Sequence, residues 1–404
     1  MTSPTRPAEG PTPWGLVILL GALTGFAPMS IDMYLSSFPA IAVDLNATPA
    51  QVQGTLATFF AGMAIGQFIY GPASDRWGRR LPIMVGVAIF LVASVVCALA
   101  ASPEMLLTAR FVQALGGCAG GVVSRAIVRD KFNHTDTARM LSLMTLIMGM
   151  APILAPMLGA ALLVWGGWRL NFWVLTGFGA VVGGLAIWKL EESRSAETEA
   201  QARSENPFTA YLALLMQRRL VGYALAGALN GAVLFTYVSG SPDLLMGTYG
   251  VSPTQFPWLF GLNAVAIIGS NQLNRYALRH WTPDRVLRRA SLIAVVMASL
   301  LALAAFSGIG GGWTVLPLLF LLLSSMGFMQ GNTMAGALSV DTLRVGSASA
   351  LMGGASFGVG ALASSLVGLL HDGTARPMAL TMVLALVSSA VVLRWLALPK
   401  TDQA

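Results

Sequence analysis

The chain has 404 residues, of which 55% are apolar and only 10% charged, with a net charge of +7 and two cysteines. A soluble domain carries about 25% charged residues, so this composition excludes water as the main solvent of the surface. A spanning helix needs about 20 apolar residues, so the length fits about a dozen spans on short loops and leaves no room for a large soluble domain.

Residues 1–13 hold Pro4, Pro7, Pro11 and Pro13 and lack the basic region and cleavage site of a signal peptide, so they read as a short disordered cytoplasmic tail. Apolar segments follow near 14–44, 50–72, 81–100, 105–124, 138–164 and 170–189. A charged stretch at 191–219, with Asn206-Pro207, reads as a cytoplasmic linker. Six more apolar segments lie near 220–240, 256–274, 286–308, 313–338, 346–370 and 377–396, before a tail at 397–404. Backbone polar groups in lipid must be satisfied within the segment, so each is expected to be a helix. The expected fold is an all-α membrane protein: twelve transmembrane helices in two six-helix halves, 14–190 and 220–396, around a central cavity.

With the amino terminus in the cytoplasm, the inner loops collect Arg76, Arg79, Arg80, Arg129, Arg194, Arg218, Arg275, Arg285 and Arg344, while the outer loops hold only Arg169 and Arg376. Both termini are therefore expected inside, and the positive charge points to anionic lipid of the inner leaflet, not to nucleic acid. Cys97 and Cys118 lie in apolar segments and read as packing residues. His134, His280 and His371 show no metal-ligand spacing and no nucleophile-base pair, so the chain does not read as an enzyme and no cofactor is expected.

Within span 1 the stretch PMSIDMYLSSFP places one acid, Asp32, in an uncharged segment, flanked on its helical face by Gly25, Met29, Met33 and Ser36. Intramembrane acids usually face a cavity or ion path, which favours a functional role over a helix-packing one. The loop GPASDRWGRRLP follows span 2; Gly71 and Gly78 permit a tight turn, Asp75 suits a helix end, and Arg79 and Arg80 sit at the lipid surface. Span 4 carries Arg110 in TARFVQALGG, on a face with Gln113, Ala114, Gly117 and Gly121. It is either an interior cation answering Asp32 or an arginine that snorkels outward. A carboxylate whose hydration and distance from a guanidinium change would take up and release a proton as the cavity switches sides.

Span 5 holds Gly149, Pro152, Pro156 and Gly159 in GMAPILAPMLGA, a hinge or interface pattern, because interior prolines free carbonyls that neighbours must satisfy. In the second half Asn230, Tyr237, Asn263, Gln330 and Asn332 either line the cavity or bond between helices. A degraded copy of the first-half loop recurs in ALRHWTPDRVLRR after span 8.

GPASDRWGRR resembles the loop signature of the major facilitator superfamily, TARFVQALGG its span-4 arginine motif, and APILAPMLGA the span-5 motif of its drug:proton antiporters. PMSIDMYLSSFPAI, GQFIYGPASDRWGRR and RAIVRDKF are similar to the bicyclomycin-resistance (Bcr/CflA-type) exporters of the bacterial inner membrane. The resemblance implies a proton-carrying role for Asp32 and a coupling role for Arg110. It further implies a cytoplasmic latch of Gly71, Asp75, Arg76, Gly78, Arg79 and Arg80, with Asp75 meeting the start of span 11 near Leu343 to Ser347. The expected function is multidrug efflux, giving antibiotic resistance: a monomer exporting small amphipathic drugs against protons by alternating access, with Met29, Met33, Tyr34 and Gln113 touching substrate. The alternative is a proton-coupled carrier dedicated to one metabolite or antibiotic.

Overall fold

The computed structural model describes residues 14–398 except 133, 196–197, 201–206 and 342–343. The expected tail 1–13 and most of the tail 397–404 therefore lie outside the described residues.

Span 1 is not one helix. Pro28 removes the hydrogen bond to Thr24, and the segment breaks into α1 (Trp14–Thr24) and α2 (Phe26–Leu35), bent by 50°. Pro39 does the same to Leu35, and a third piece, α3 (Phe38–Asp44), follows Ser36-Ser37. Asp32 sits in the short middle piece.

The next five helices are α4 (Pro49–Trp77), α5 (Arg80–Ala98), α6 (Pro103–Lys131), α7 (His134–Gly166) and α8 (Trp168–Lys189). A short helix α9 (Pro207–Leu215) precedes α10 (Arg218–Pro242), which runs on through a wider turn at Asp243–Thr248. Then come α11 (Phe256–Ala277), α12 (Pro283–Ser307), α13 (Gly312–Val340), α14 (Val345–Leu369) and α15 (Arg376–Val392). Three of these starts share one device, a hydroxyl cap followed by proline. Gln51 N donates to Thr48 Oγ1 at 3.2 Å, Met105 N to Ser102 Oγ at 3.2 Å, and Arg285 N to Thr282 Oγ1 at 3.3 Å.

Ten helices among the described residues are long and apolar enough to cross a membrane, and the bent pair α1–α2 makes an eleventh. The twelfth, α11, has the length but carries Asn263, Ser270, Asn271, Gln272, Asn274 and Arg275, so hydropathy alone does not select it. The molecule is thus all helical, and the described chain places α1–α8 and α10–α15 as two helix sets.

The two sets meet where α4 lies along α14 and α7 along α11. Most of these contacts are apolar, with Gly354 against the Phe68 ring, Gly149 against Ile268 and Gly261 against Ile153, while Gln67 and Gln53 of α4 lie against Gly353 and Gly368 without a hydrogen bond across. Phe60 of the first set packs with tilted rings against Phe235 and Phe357 of the second, with centroids 4.5 Å apart for Phe60–Phe235 and 5.1 Å for Phe235–Phe357. Polar ties run within a set instead. Asn332 Nδ2 donates to Asn274 Oδ1 at 3.0 Å, Ser389 Oγ to Asn230 Oδ1 at 2.9 Å, and Tyr223 to Asp284 at 2.7 Å. Among the described residues no hydrogen bond or ion pair joins α1–α8 to α10–α15.

One glycine fixes how α2 seats on α7. A side chain at Gly159 would start 1.9 Å from the carbonyl oxygen of Met33, so the two backbones touch. Gly159→Ala must push them apart; overpacking of this kind costs about 1–3 kcal/mol, read as a lower melting temperature of the purified protein.

Candidate functional site

Asp32 is buried, with 5% of its surface exposed. Among the described residues it makes no hydrogen bond and no ion pair. Its electrostatic neighbour is Tyr237 of α10, in the other helix set. The Tyr237 hydroxyl accepts a hydrogen bond from Asn263 Nδ2 of α11 at 3.0 Å, and Asn263 Oδ1 is buried with no partner of its own. The structure therefore gathers three of the predicted polar residues, Asp32, Tyr237 and Asn263, across the boundary between the two sets.

Arg110 does not join them. Its guanidinium is fully buried, 4.3 Å from the Phe59 ring, 4.7 Å from Tyr34 and 5.8 Å from Phe172. Nη1 donates to Gln113 Oε1 at 2.6 Å, and Gln113 Nε2 donates to Ser94 Oγ at 2.8 Å, while Nε and Nη2 have no hydrogen-bond partner among the described residues. The expectation that Arg110 faces Asp32 is corrected here. Tyr34 follows Asp32 by two residues, about 200° around α2, and it is Tyr34 that meets the guanidinium.

The proposed drug contacts separate in the same way. Met29 is half-buried, whereas Met33 is buried with its carbonyl on Gly159. Tyr34 hydrogen-bonds Thr55 at 2.8 Å inside its own set and, with Gln113, belongs to the arginine box instead of an open lining. Asn230 bonds Ser389 of α15 and so ties two helices together. Gln330 is exposed, on a different face of α13 from the buried Asn332. In the span-5 motif, Pro152 and Pro156 lie inside α7, and Ser36 Oγ donates to the Pro156 carbonyl at 3.3 Å.

At the arginine-rich end the loop residues lock into one network. Arg79, 3% exposed, donates from Nε to Asp130 Oδ2 at 2.7 Å, from Nη2 to Asp130 Oδ1 at 3.2 Å and from Nη1 to Ser74 Oγ at 3.0 Å, and it pairs with Asp75 at 2.5 Å. Gly78 turns the chain at φ 88°, and the Glu192 carboxylate occupies the space a side chain there would need. That carboxylate accepts from Arg79 N at 2.9 Å and Arg80 N at 3.2 Å, an anion capping the start of α5. Arg194 Nη1 donates to the Arg76 carbonyl at 2.6 Å, and Gly71 accepts from Ser74 at 2.9 Å.

Burial alone would raise Glu192, but the N–H donors of Arg79, Arg194, Arg80 and Ser193 outweigh it and hold the group below the usual carboxylate range. Because the folded value is lowered, its contribution is complete above the unfolded value and is lost as pH falls through the folded one. Glu192→Gln is therefore expected to abolish that acid-side loss of stability, seen by comparing melting curves at neutral and acid pH.

The expected partner of Asp75 at the start of span 11 is not found among the described residues. Asp75 is taken by Arg79, Arg344 pairs with Asp341 at 3.3 Å, and Leu343 lies outside the described residues. The repeat of the loop in the second set keeps the pattern Asp-Arg-x-x-Arg-Arg at Asp284 to Arg289. It falls inside the first turns of α12 instead of across a turn, and Asp284 accepts from Tyr223. At the far end Asp44 bonds Arg169 and Trp168, and His371 Nε2 lies 2.7 Å from Asp243.

One residue escaped the sequence reading. The apolar segment read as span 4 stops at 124, just before Arg125, but α6 continues to Lys131, which leaves Arg125 within the helix and exposed. The available signal was its spacing of fifteen residues from Arg110, within about 60° on the helix.

The model of the Major Facilitator Superfamily matches residues 20–366. The chain belongs to this superfamily. Facilitators are transporters, so this chain is a multi-pass membrane transporter and not an enzyme. It is 37% identical to the uncharacterized MFS-type transporter YdgK of Bacillus subtilis, over 93% of both chains. It is 32% identical to a bicyclomycin resistance protein homolog of Haemophilus influenzae, over 93% of this chain and 94% of that one. The xylose transporter XylE from E. coli, in a partially occluded inward-open conformation, shares the facilitator fold with a TM-score of 0.73, covering 97% of this chain and 100% of that chain at 14% identity.

Proposed function

We propose that this facilitator is a proton-coupled exporter of small amphipathic drugs, working by alternating access in a bacterial inner membrane with both termini cytoplasmic. The observation that carries this reading is Asp32: a lone buried acid, free of any ion pair among the described residues, in the middle piece of a twice-broken span and beside Tyr237 of the other set, to which Asn263 is hydrogen-bonded. Discontinuous spans at the boundary of two halves are where transporters of this build place their ion and substrate sites. A proton on Asp32 and a drug beside Tyr237 would compete for the site, each leaving when the other binds. Arg110 acts at one remove, through Tyr34, whose helix also bears Asp32. The resistance-protein relative supports drugs as substrates.

The test is drug-induced proton release from purified protein in weakly buffered detergent, across chemically varied compounds. Release of protons on drug addition is expected. Binding of drugs with no release at any pH between 5 and 9 would remove proton exchange from the reading.

A further inference from the structure

The helix α6 has three packed sides. Gly116 and Ala119 meet Gly86 of α5, Gly117 and Gly120 meet Phe26 and Leu23 of α2 and α1, and Phe111, Ala114 and Cys118 meet Gly62 and Gly66 of α4. At about 100° per residue these contacts leave a sector opposite α5 into which Arg110 and Gly121 fall, while Arg125, two turns beyond Cys118, lies at its edge on the α4 side and is exposed. Toward the far end, rings of Tyr34 and Phe59 seal the sector over Arg110. Toward the arginine-rich end it is open: Gly121 offers no side chain and Arg125 is exposed.

Arg125 has no hydrogen bond and no ion pair among the described residues, and the charge in its surroundings is Arg129. The nearest acid along the helix, Asp130, is engaged by Arg79. Asp32 is turned toward Tyr237. Among the described residues no acid is therefore set against Arg125, and its guanidinium presents a planar fork suited to a carboxylate or sulfonate. Such a charge attracts anions and disfavours cations.

We propose that Arg125 is a substrate-recognition residue that binds the acidic group of amphipathic organic anions, so that this carrier selects them over lipophilic cations. The inference rests on the export reading above and names its substrate class. A lipid phosphate has the same chemistry, and the arms of the test separate the two.

Binding of naphthalene-sulfonate and of tetraphenylphosphonium is measured by calorimetry on purified protein in lipid-free detergent. The wild type should bind the sulfonate at least tenfold more tightly. Arg125→Gln should weaken sulfonate binding about tenfold, 1.4 kcal/mol, and leave the phosphonium unchanged or stronger. Arg125→Lys, which keeps the charge, should stay within threefold of wild type. Phosphonium binding as tight as sulfonate in the wild type overturns the proposal even if no variant folds. So does Arg125→Gln with unchanged sulfonate affinity, and a variant of that kind that loses co-purifying anionic phospholipid assigns Arg125 to lipid. Sulfonate preference without drug-driven proton release would sink the proton-coupled reading and leave this inference standing; proton release with a cation preference would do the reverse.

Discussion

Asp32→Asn is expected to abolish drug-driven proton release, by at least a hundredfold in rate, while the protein still inserts and melts at or above the wild-type temperature. The two halves of this expectation come from one geometry. A carboxylate buried without an ion-pair partner costs several kcal/mol, and the amide of the same shape removes that cost without breaking any contact, because Asp32 makes none among the described residues. A merely structural acid would give the opposite pattern: unchanged coupling and lower stability. Proton release by reconstituted Asp32→Asn, measured beside its melting curve, decides between them. Retained release in a stable variant would move the proton site elsewhere.

Arg79→Ala should be among the most destabilising single changes in the protein. Its guanidinium is nearly enclosed and holds Asp130 through two hydrogen bonds, with Ser74 and Asp75 on the same group. Removing one partner of a buried pair costs about 3–5 kcal/mol, because the remaining carboxylate keeps its desolvation and loses its compensation. The cost should shrink in the double variant Arg79→Ala with Asp130→Asn, since the buried carboxylate is then gone and only the half-exposed Asp75 keeps its charge. Arg79→Lys should fall between, as an ammonium cannot reproduce the two-pronged contact. Thermal melting of these three variants, of Asp130→Asn alone and of the wild type checks this; strictly additive effects of Arg79→Ala and Asp130→Asn would show that the two side chains act separately.

Much of the fold was legible in the sequence because lipid leaves few options: long uncharged stretches between arginine-bearing loops can only be helices. The break in span 1 was not read, because 14–44 is continuous by hydropathy, although Pro28 and Pro39 mark where it falls. Side-chain partnerships were less accessible. Asp32 could be recognised as an isolated acid from its surroundings in the chain, yet whether Arg110 faced it depended on a rotation that only Tyr34, packed on Phe38 and Phe172, settles. Asn230 and Tyr237 look alike in sequence as polar residues on one span. Ser389 claims the first and Asn263 the second, and neither partner can be guessed from spacing. Arg125 was hidden by an underestimated helix end, where the apolar run stops but the hydrogen-bonded backbone continues to Lys131.

The distribution of directional bonds has a mechanical meaning. Within α1–α8 and within α10–α15, arginine–aspartate and asparagine pairs fix angles and resist shear. Between the sets lie ring faces and glycine-lined ridges, whose attraction depends on area and hardly on orientation. A joint of this kind can roll by several degrees and regain most of its contact energy, so each body stays stiff while the seam acts as a bearing.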